Sequence, residues 1–302
     1  MTGASTQRRA GAGAGAAASL EAVDRLILAY LAVLAVLTLV CHPRPWLLLA
    51  PIAAVAIALV ATARSHPHSR LGRWAHDFFP IVGVLATFNL SGPVIAVTNM
   101  TRWDEAFVTW DRALFGALPA LWLGMLGRPA WLTDVASIVY FSYYLIPIAM
   151  GVALYRADRL VEFDEMVFAV VAAFLISFVC YFAAPAFGPR VSTEAAAAVL
   201  GGGPASEAVR WFLTTFEGNE LDAFPSGHTA LSLIFLAFGW RLFPRWRVPL
   251  ALLVAGILFS TVYLSLHYIV DVLAGVVLAL AMPLLLPPLR RLSEPRLLNG
   301  RR

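Results

Sequence analysis

Residues 164–184 read DEMVFAVVAAFLISFVCYFAA. After the two acids at its start the stretch carries no charge. A helix needs about 20 apolar residues to cross the ~30 Å hydrocarbon layer of a bilayer. This run is too long for a strand and too evenly apolar for one face of a soluble helix. It predicts a membrane-spanning helix. Similar runs lie at roughly 25–41, 46–62, 78–98, 131–155, 226–243, 248–265 and 267–288, which brings the number of expected spans to eight. Of the 302 residues, 60% are hydrophobic and only 13% charged, against about 25% charged in a soluble domain. Mean hydropathy is +0.78. The expected fold class is therefore all-α, a polytopic membrane helix bundle. The third run is interrupted by Asn89, Ser91, Gly92 and Pro93, which predicts a broken or re-entrant segment there.

All 22 basic residues are arginines, and they sit at the ends of the apolar runs. Cytoplasmic segments of membrane proteins carry an excess of Lys and Arg. With the N-terminus in the cytoplasm, sixteen of the 22 fall inside, among them Arg25, Arg64, Arg70, Arg73, Arg156, Arg159, Arg241, Arg245, Arg247, Arg290 and Arg291. Arg44, Arg102, Arg112, Arg128, Arg190 and Arg210 fall outside. Eight spans return the C-terminus to the cytoplasm. The expectation is an integral, multi-pass plasma membrane protein with both termini cytoplasmic. The net charge of +4, without basic residues interleaved with exposed aromatics, gives no footprint for nucleic acid.

Residues 1–22 are rich in Gly, Ala and Ser and are expected to be a disordered cytoplasmic tail. The long apolar run after them argues for a retained first span over a cleaved signal peptide. The domain plan continues with an N-terminal transmembrane hairpin over 23–74, a catalytic membrane domain over 75–289 and a basic cytoplasmic tail over 290–302. Cys41 and Cys180 read as small buried hydrophobes. In the outside segment 99–130, Phe107, Trp110, Leu114 and Leu118 recur at helical spacing. That pattern predicts an amphipathic helix lying in the interface, with Asp104 and Asp111 as its solvated decoration. The second long outside segment is 185–225, rich in Gly, Ala, Pro and Glu. Its acids Glu217 and Asp222 read as solvated loop residues.

Three short segments carry chemistry. The first is Phe224-Pro225-Ser226-Gly227-His228. Ser226 after Pro225 is a helix start, with Ser226 as the cap. The N–H groups of Ser226, Gly227 and His228 would then be open to a phosphate through hydrogen bonds and the helix dipole. The second is His267-Tyr268-Ile269-Val270-Asp271. At i and i+4, His267 and Asp271 would share a helix face. The carboxylate would then fix the imidazole tautomer and leave the other nitrogen free as a nucleophile. An Asp in an apolar span is expensive without a partner, and His267 is the natural one. The third is Arg190, after Pro185-Ala186-Phe187-Gly188-Pro189. It reads either as a guanidinium fork for phosphate or as an arginine snorkelling to the headgroups. By span counting all three segments reach the same, extracytoplasmic, membrane face. His42, His66, His68 and His76 have no such company, and Tyr263 and Tyr268 read as packing residues.

The Pro-Ser-Gly-His segment, followed 39 residues after its His by His-Tyr-Ile-Val-Asp, resembles the type 2 phosphatidic acid phosphatase superfamily. Ser260, His267 and Asp271 match the spacing of that superfamily's last motif, but Thr261 stands where the motif has Arg. The first motif is missing: Ala183 stands where its Lys would be, and Val191, not Pro, follows Arg190. These departures resemble the inositolphosphotransferase branch, which includes inositolphosphorylceramide synthase. The resemblance implies a six-helix phosphatase-type core with two extra N-terminal spans and an interfacial helix. It implies His267 as nucleophile forming a phosphohistidine, His228 as acid and then base, and Asp271 as the orienting carboxylate. Arg190, Ser226 and Gly227 would bind the phosphate. The substrate would be a membrane lipid phosphate. The acceptor would be water in a phosphatase acting on a lipid phosphate or polyprenyl diphosphate, and an alcohol or glycan in a transferase. No cofactor or metal is needed, since an arginine and a helix start can hold the phosphate. The competing class is a lipid transporter, which the few intramembrane charges and the lack of half-to-half symmetry disfavour.

Overall fold

The computed structural model describes residues 20–65, 69–118, 129–191 and 201–293. Most of the expected tails, together with His66, His68 and Arg128, lie outside the described residues. The elements are α1 (Ala22–Cys41), α2 (Trp46–Ser65), α3 (Arg70–Thr98), α4 (Asp104–Phe115), α5 (Ala130–Arg156), α6 (Leu160–Ala183), α7 (Pro204–Phe216), α8 (Gly227–Leu242), α9 (Arg247–Tyr263) and α10 (Ile269–Ser293), with single 3-10 turns at Pro189–Val191 and Pro244–Trp246. Among the described residues there is no strand. Helices satisfy every backbone group internally, and that is the condition for crossing lipid.

Each of the eight apolar runs is a helix. Among the described residues seven helices are long and apolar enough to span a membrane, α9 counting together with the turn before it. The eighth, α8, has 16 residues, about 24 Å. Its shortness follows from its place. It packs against α5, α6, α9 and α10, and its first half is buried almost without break. The outer helices instead present Val33, Leu39, Ile57, Val82, Leu252 and Leu280 on their free faces, as a lipid-facing surface must. Cys41 is exposed and Cys180 half-buried, so the expectation of two buried thiols does not hold.

Two apolar cores meet along α6. One joins Leu154, Phe163, Ala173, Leu231 and Phe235 on α5, α6 and α8. The other joins Ile27, Leu31, Leu59, Ile95 and Phe178, and so ties the N-terminal hairpin and α3 to α6. The described ends close on one another, as Arg25 donates to the Ser293 carbonyl at 2.7 Å. Near them a buried pair, His76 and Asp24 at 3.1 Å, links α3 to α1.

The third span is not broken: α3 runs through its polar stretch and through Pro80 and Pro93. Its polar residues have tertiary work. Asn89 donates to the Phe216 carbonyl at 3.0 Å and accepts from Gly218 N at 2.6 Å. Ser91 bonds Tyr30 at 2.9 Å. At Gly92 a Cβ would come within 2.9 Å of the Asn219 backbone. The helix thus grips the loop that leads into Pro225-Ser226-Gly227-His228.

The helix expected in segment 99–130 is present as α4, but its buried face differs from the expected one. Phe107 and Asp111 are buried, while Trp110 and Leu114 are exposed. Segment 185–225 also holds a helix, one that its Gly/Ala/Pro composition hid. This is α7, with Pro204 at its start, Glu207 in its first turn and Val209 and Leu213 buried.

Candidate active site

Ser226 caps α8. Its hydroxyl oxygen accepts from Thr229 N at 3.3 Å and from the Thr229 hydroxyl at 3.1 Å. The Ser226 N–H is not open as expected, because it donates to the Asp271 carbonyl at 3.0 Å and so staples α8 to α10. Gly227 and His228 form the first turn of α8, beside a cavity that both residues line.

His267 lies in the loop between α9 and α10, two residues before α10 begins at Ile269, and so does not share a helix with Asp271. The carbonyl of Thr261 accepts from Leu266 N and His267 N at 2.9 and 3.2 Å. The Thr261 hydroxyl turns back to the Leu258 carbonyl at 2.8 Å. The nitrogen Nδ1 of His267 stands 3.0 Å from the Ala223 carbonyl. A carbonyl only accepts, so Nδ1 carries the proton and Nε2 the lone pair. Asp271 is the second neighbour of Nδ1, at 3.6 Å. The orienting acceptor is therefore a backbone carbonyl, where the sequence pointed to the carboxylate. Asp271 is fully buried and accepts from Tyr268 N at 2.9 Å.

The two imidazoles face each other. His267 Nε2 lies 3.5 Å from His228 Nδ1. Tyr140 of α5 bonds His228 Nε2 through its hydroxyl at 2.7 Å, and the Tyr143 ring packs 4.4 Å from the imidazole. Both histidines are nearly buried, at 9% and 4% exposure. Burial holds the His267 pKa down at about 4; Arg190 also lowers it, against the opposing pull of Asp222 and the Ala223 carbonyl. His267 is therefore neutral at physiological pH.

Arg190 sits in the 3-10 turn after Gly188 and is half-buried. Gly188 has φ of +87°, and a Cβ there would meet the Leu266 carbonyl at 2.5 Å. This close approach sets the Arg190 turn against the His267 loop. The Arg190 charge acts on His267, Glu217 and Asp222 alike. Arg190 also lines a second cavity, with Arg210, Ser137 and Glu220.

Four acids described as solvated or decorative by sequence are built into this site. Asp111 accepts from Ile269 N and Val270 N at 2.9 and 3.0 Å, capping α10 from α4. Asp104 accepts from Phe187 N, Gly188 N and the Tyr268 hydroxyl at 3.0–3.1 Å. Together these two carboxylates tie α4 to the loops that carry Arg190 and His267. Glu217 and Asp222, both half-buried, line the cavity beside His228. Glu217 accepts from the Tyr144 hydroxyl. Packing around the pair raises both carboxyls, Glu217 to about 7, with the Asp222 charge adding to it and Tyr144 and Arg190 opposing. Asp222 rises by burial against the pull of Arg190 and His267. Tyr140 and Tyr144 were legible only as hydroxyls inside an apolar span, where a buried tyrosine calls for a partner.

A bundle of apolar helices that gathers two facing imidazoles, a capped helix start and an arginine at one membrane face defines a polytopic membrane protein with a site suited to an anionic group. A family model described as PAP2 superfamily matches residues 105–285. The match covers more than half of the chain, from α4 into α10, and the chain belongs to the PAP2 superfamily. Membership makes it a membrane enzyme of the lipid phosphatase and phosphotransferase type, acting on a lipid phosphate. No curated protein and no solved structure matches the chain.

Proposed function

We propose that this protein is a lipid phosphotransferase of the inositolphosphotransferase kind, working through a phosphohistidine on His267. The observation that carries the reading is the 3.5 Å approach of His267 Nε2 to His228 Nδ1, with the far nitrogen of His267 tied to the Ala223 carbonyl. In the first step His267 Nε2 attacks phosphorus. The bond from phosphorus to the leaving oxygen breaks, and that oxygen takes a proton from His228. In the second step an acceptor hydroxyl attacks the phosphohistidine, its proton returns to His228, and the phosphorus–nitrogen bond breaks. Asp271, 3.6 Å from Nδ1, offsets the positive charge on the phosphorylated ring. Arg190 and the N–H groups at the start of α8 hold the nonbridging oxygens.

The charge of the site favours a phosphodiester donor. Arg190 serves it, the Thr261 side chain is folded back on its own helix, and Glu217 and Asp222 line the cavity beside His228. A dianionic monoester would meet more repulsion here than a monoanionic diester. The second cavity, with Arg190, Arg210, Ser137 and Glu220 in its wall, suits a polar headgroup or acceptor such as a polyol. The distribution of arginines supports an extracytoplasmic site and cytoplasmic termini.

The test is to trap a labelled phosphoenzyme from lipid phosphodiesters in the wild type and in His267→Ala. Label in the wild type alone, with headgroup exchange into an added alcohol, supports the proposal. Label that persists in His267→Ala overturns the nucleophile. Free phosphate as the dominant product assigns the site to hydrolysis, with water as acceptor.

A further inference from the structure

A cavity of about 360 Å³ lies against the His267 loop, with Leu264 and Leu266 in its wall. Small-molecule pockets begin near about 300 Å³, so this one suits a group the size of a sugar. Two guanidiniums line it from separate elements, Arg190 from the 3-10 turn and Arg210 from α7. Both residues are half-buried, and among the described residues neither guanidinium makes a hydrogen bond or a salt bridge. Glu220 is the one acid among the described residues of this wall, and it is exposed. The third polar group is Ser137 of α5, at 3% exposure. A serine in an apolar helix tends to bond a carbonyl of its own helix, as Ser142 does to Val139 and Ser177 to Ala173. Ser137 makes no such bond among the described residues, and it lines the cavity. A buried hydroxyl without a partner is costly, and a ligand in the cavity would supply one. The position of Arg210 is fixed as well. Asp134 of α5 accepts from Gly203 N and Ser206 N at 2.9 Å each, which anchors the start of α7. Arg210 follows Ser206 one helical turn later on the same face.

We infer that this cavity binds a second negative charge on the headgroup that stays attached to phosphorus, so that the preferred donor is a phosphodiester whose headgroup is a polyol bearing a further phosphate. The inference rests on the reading of His267 as nucleophile and His228 as acid. Entering and leaving atoms stand roughly in line across phosphorus. The bond that forms runs to His267 Nε2, and the bond that breaks runs to the oxygen that takes the proton from His228. The leaving group therefore departs on the side of the first cavity, which His228 lines. The bond from phosphorus to the headgroup oxygen survives, and the headgroup is held with the phosphohistidine, beside the His267 loop and Arg190 that border the second cavity. Arg190 has donors for both phosphates, since a guanidinium carries five N–H groups. Arg210 and Ser137 line the second cavity and not the first. A neutral polyol would fill the space and leave Arg210 without a counter-charge. A phosphate there would accept from Arg210 and Ser137 together, in charge-assisted bonds stronger than those of a hydroxyl.

The experiment uses the full chain in detergent and p-nitrophenyl phosphodiesters whose other substituent is methyl, glycerol or glycerol phosphate. Release of p-nitrophenolate reads the first step, in which that substituent stays on phosphorus. In the wild type, kcat/KM for the glycerol phosphate ester should exceed that for the glycerol ester about tenfold or more. Arg210→Gln should bring this ratio down to about two or below, and Ser137→Ala should lower it about threefold. Arg210→Lys keeps the charge and loses the fork, and should hold a ratio of about three or more. Turnover of the methyl ester, which carries nothing into the cavity, shows that each variant is folded. A wild-type ratio near one, or a ratio that Arg210→Gln leaves at its wild-type value, overturns the inference. So does a dependence on Arg210 that emerges only when glycerol phosphate is added as a free acceptor, because the charge would then belong to the acceptor. His267→Ala with normal release of p-nitrophenolate would instead overturn the nucleophile on which the inference rests.

Discussion

The Tyr140 hydroxyl stands 2.7 Å from His228 Nε2, across two helices and 88 residues of chain. This contact settles which imidazole nitrogen of His228 is left for chemistry, because Nε2 is occupied and Nδ1 faces His267. Tyr144, one helical turn further along α5, bonds Glu217. One face of α5 therefore holds both His228 and Glu217.

Removing the Tyr140 hydroxyl should slow the chemistry without much change in binding. In Tyr140→Phe the ring that packs on His228 stays, and only the hydrogen bond goes. A buried hydrogen bond to such a group is worth about 1.5 kcal/mol, so kcat should fall about tenfold while KM moves less than about twofold. Steady-state kinetics on one lipid diester decides it. An unchanged kcat would mean that Tyr140 only fills space.

His228 and His267 should fail differently. His267→Ala should abolish phosphoenzyme formation. His228→Ala should still form it from a p-nitrophenyl diester, whose leaving group needs no proton, yet turn over natural-type alkyl esters at least about a hundredfold more slowly. Equal loss on both esters in both variants would remove the division of labour between the two rings.

The span pattern was legible because the bilayer demands long apolar helices, whatever their partners. The pairing of His228 with His267 was legible through motif spacing, although the helix face shared with Asp271 was not: the loop delays α10 to Ile269, and the Ala223 carbonyl takes Nδ1. Periodicity reports a face, not what lies against it. Hence Asn89 and Gly92 read as a break in α3 when they grip the Phe216–Asn219 loop. Likewise Asp104, Asp111, Glu217 and Asp222 read as solvated when partners far away in sequence enclose them.

Asp111 should matter for stability where Glu105, exposed on the same helix, does not. Its two oxygens satisfy the first N–H groups of α10, one donor buried and the other half-buried, and both lose that acceptor in its absence. Asp111→Ala should cost about 1–3 kcal/mol, visible as a lower midpoint of thermal unfolding in detergent. Glu105→Gln, exposed on the same helix, should stay within about 0.5 kcal/mol. Equal midpoints for the two variants would show that the cap contributes nothing.

The pH profile should carry the marks of His267 and Glu217. His267 must be neutral to attack, and with its pKa held at about 4 the acid limb of kcat/KM should fall only as pH drops toward 4, well below the usual histidine range. Glu217 titrates the other way. Below about 7 it is neutral and tolerates an anionic ester beside it; above about 7 it becomes a carboxylate next to Asp222 and repels that ester. KM should therefore begin to rise near 7, a change separate from any fall of kcat as His228 loses the proton it must donate. Glu217→Gln keeps the shape, can still accept from Tyr144, and cannot ionise. It should remove the rise in KM above about 7 and leave the pH dependence of kcat and the acid limb in place. A rise in KM that survives in Glu217→Gln would assign it to another group and free Glu217 from any part in substrate charge selection.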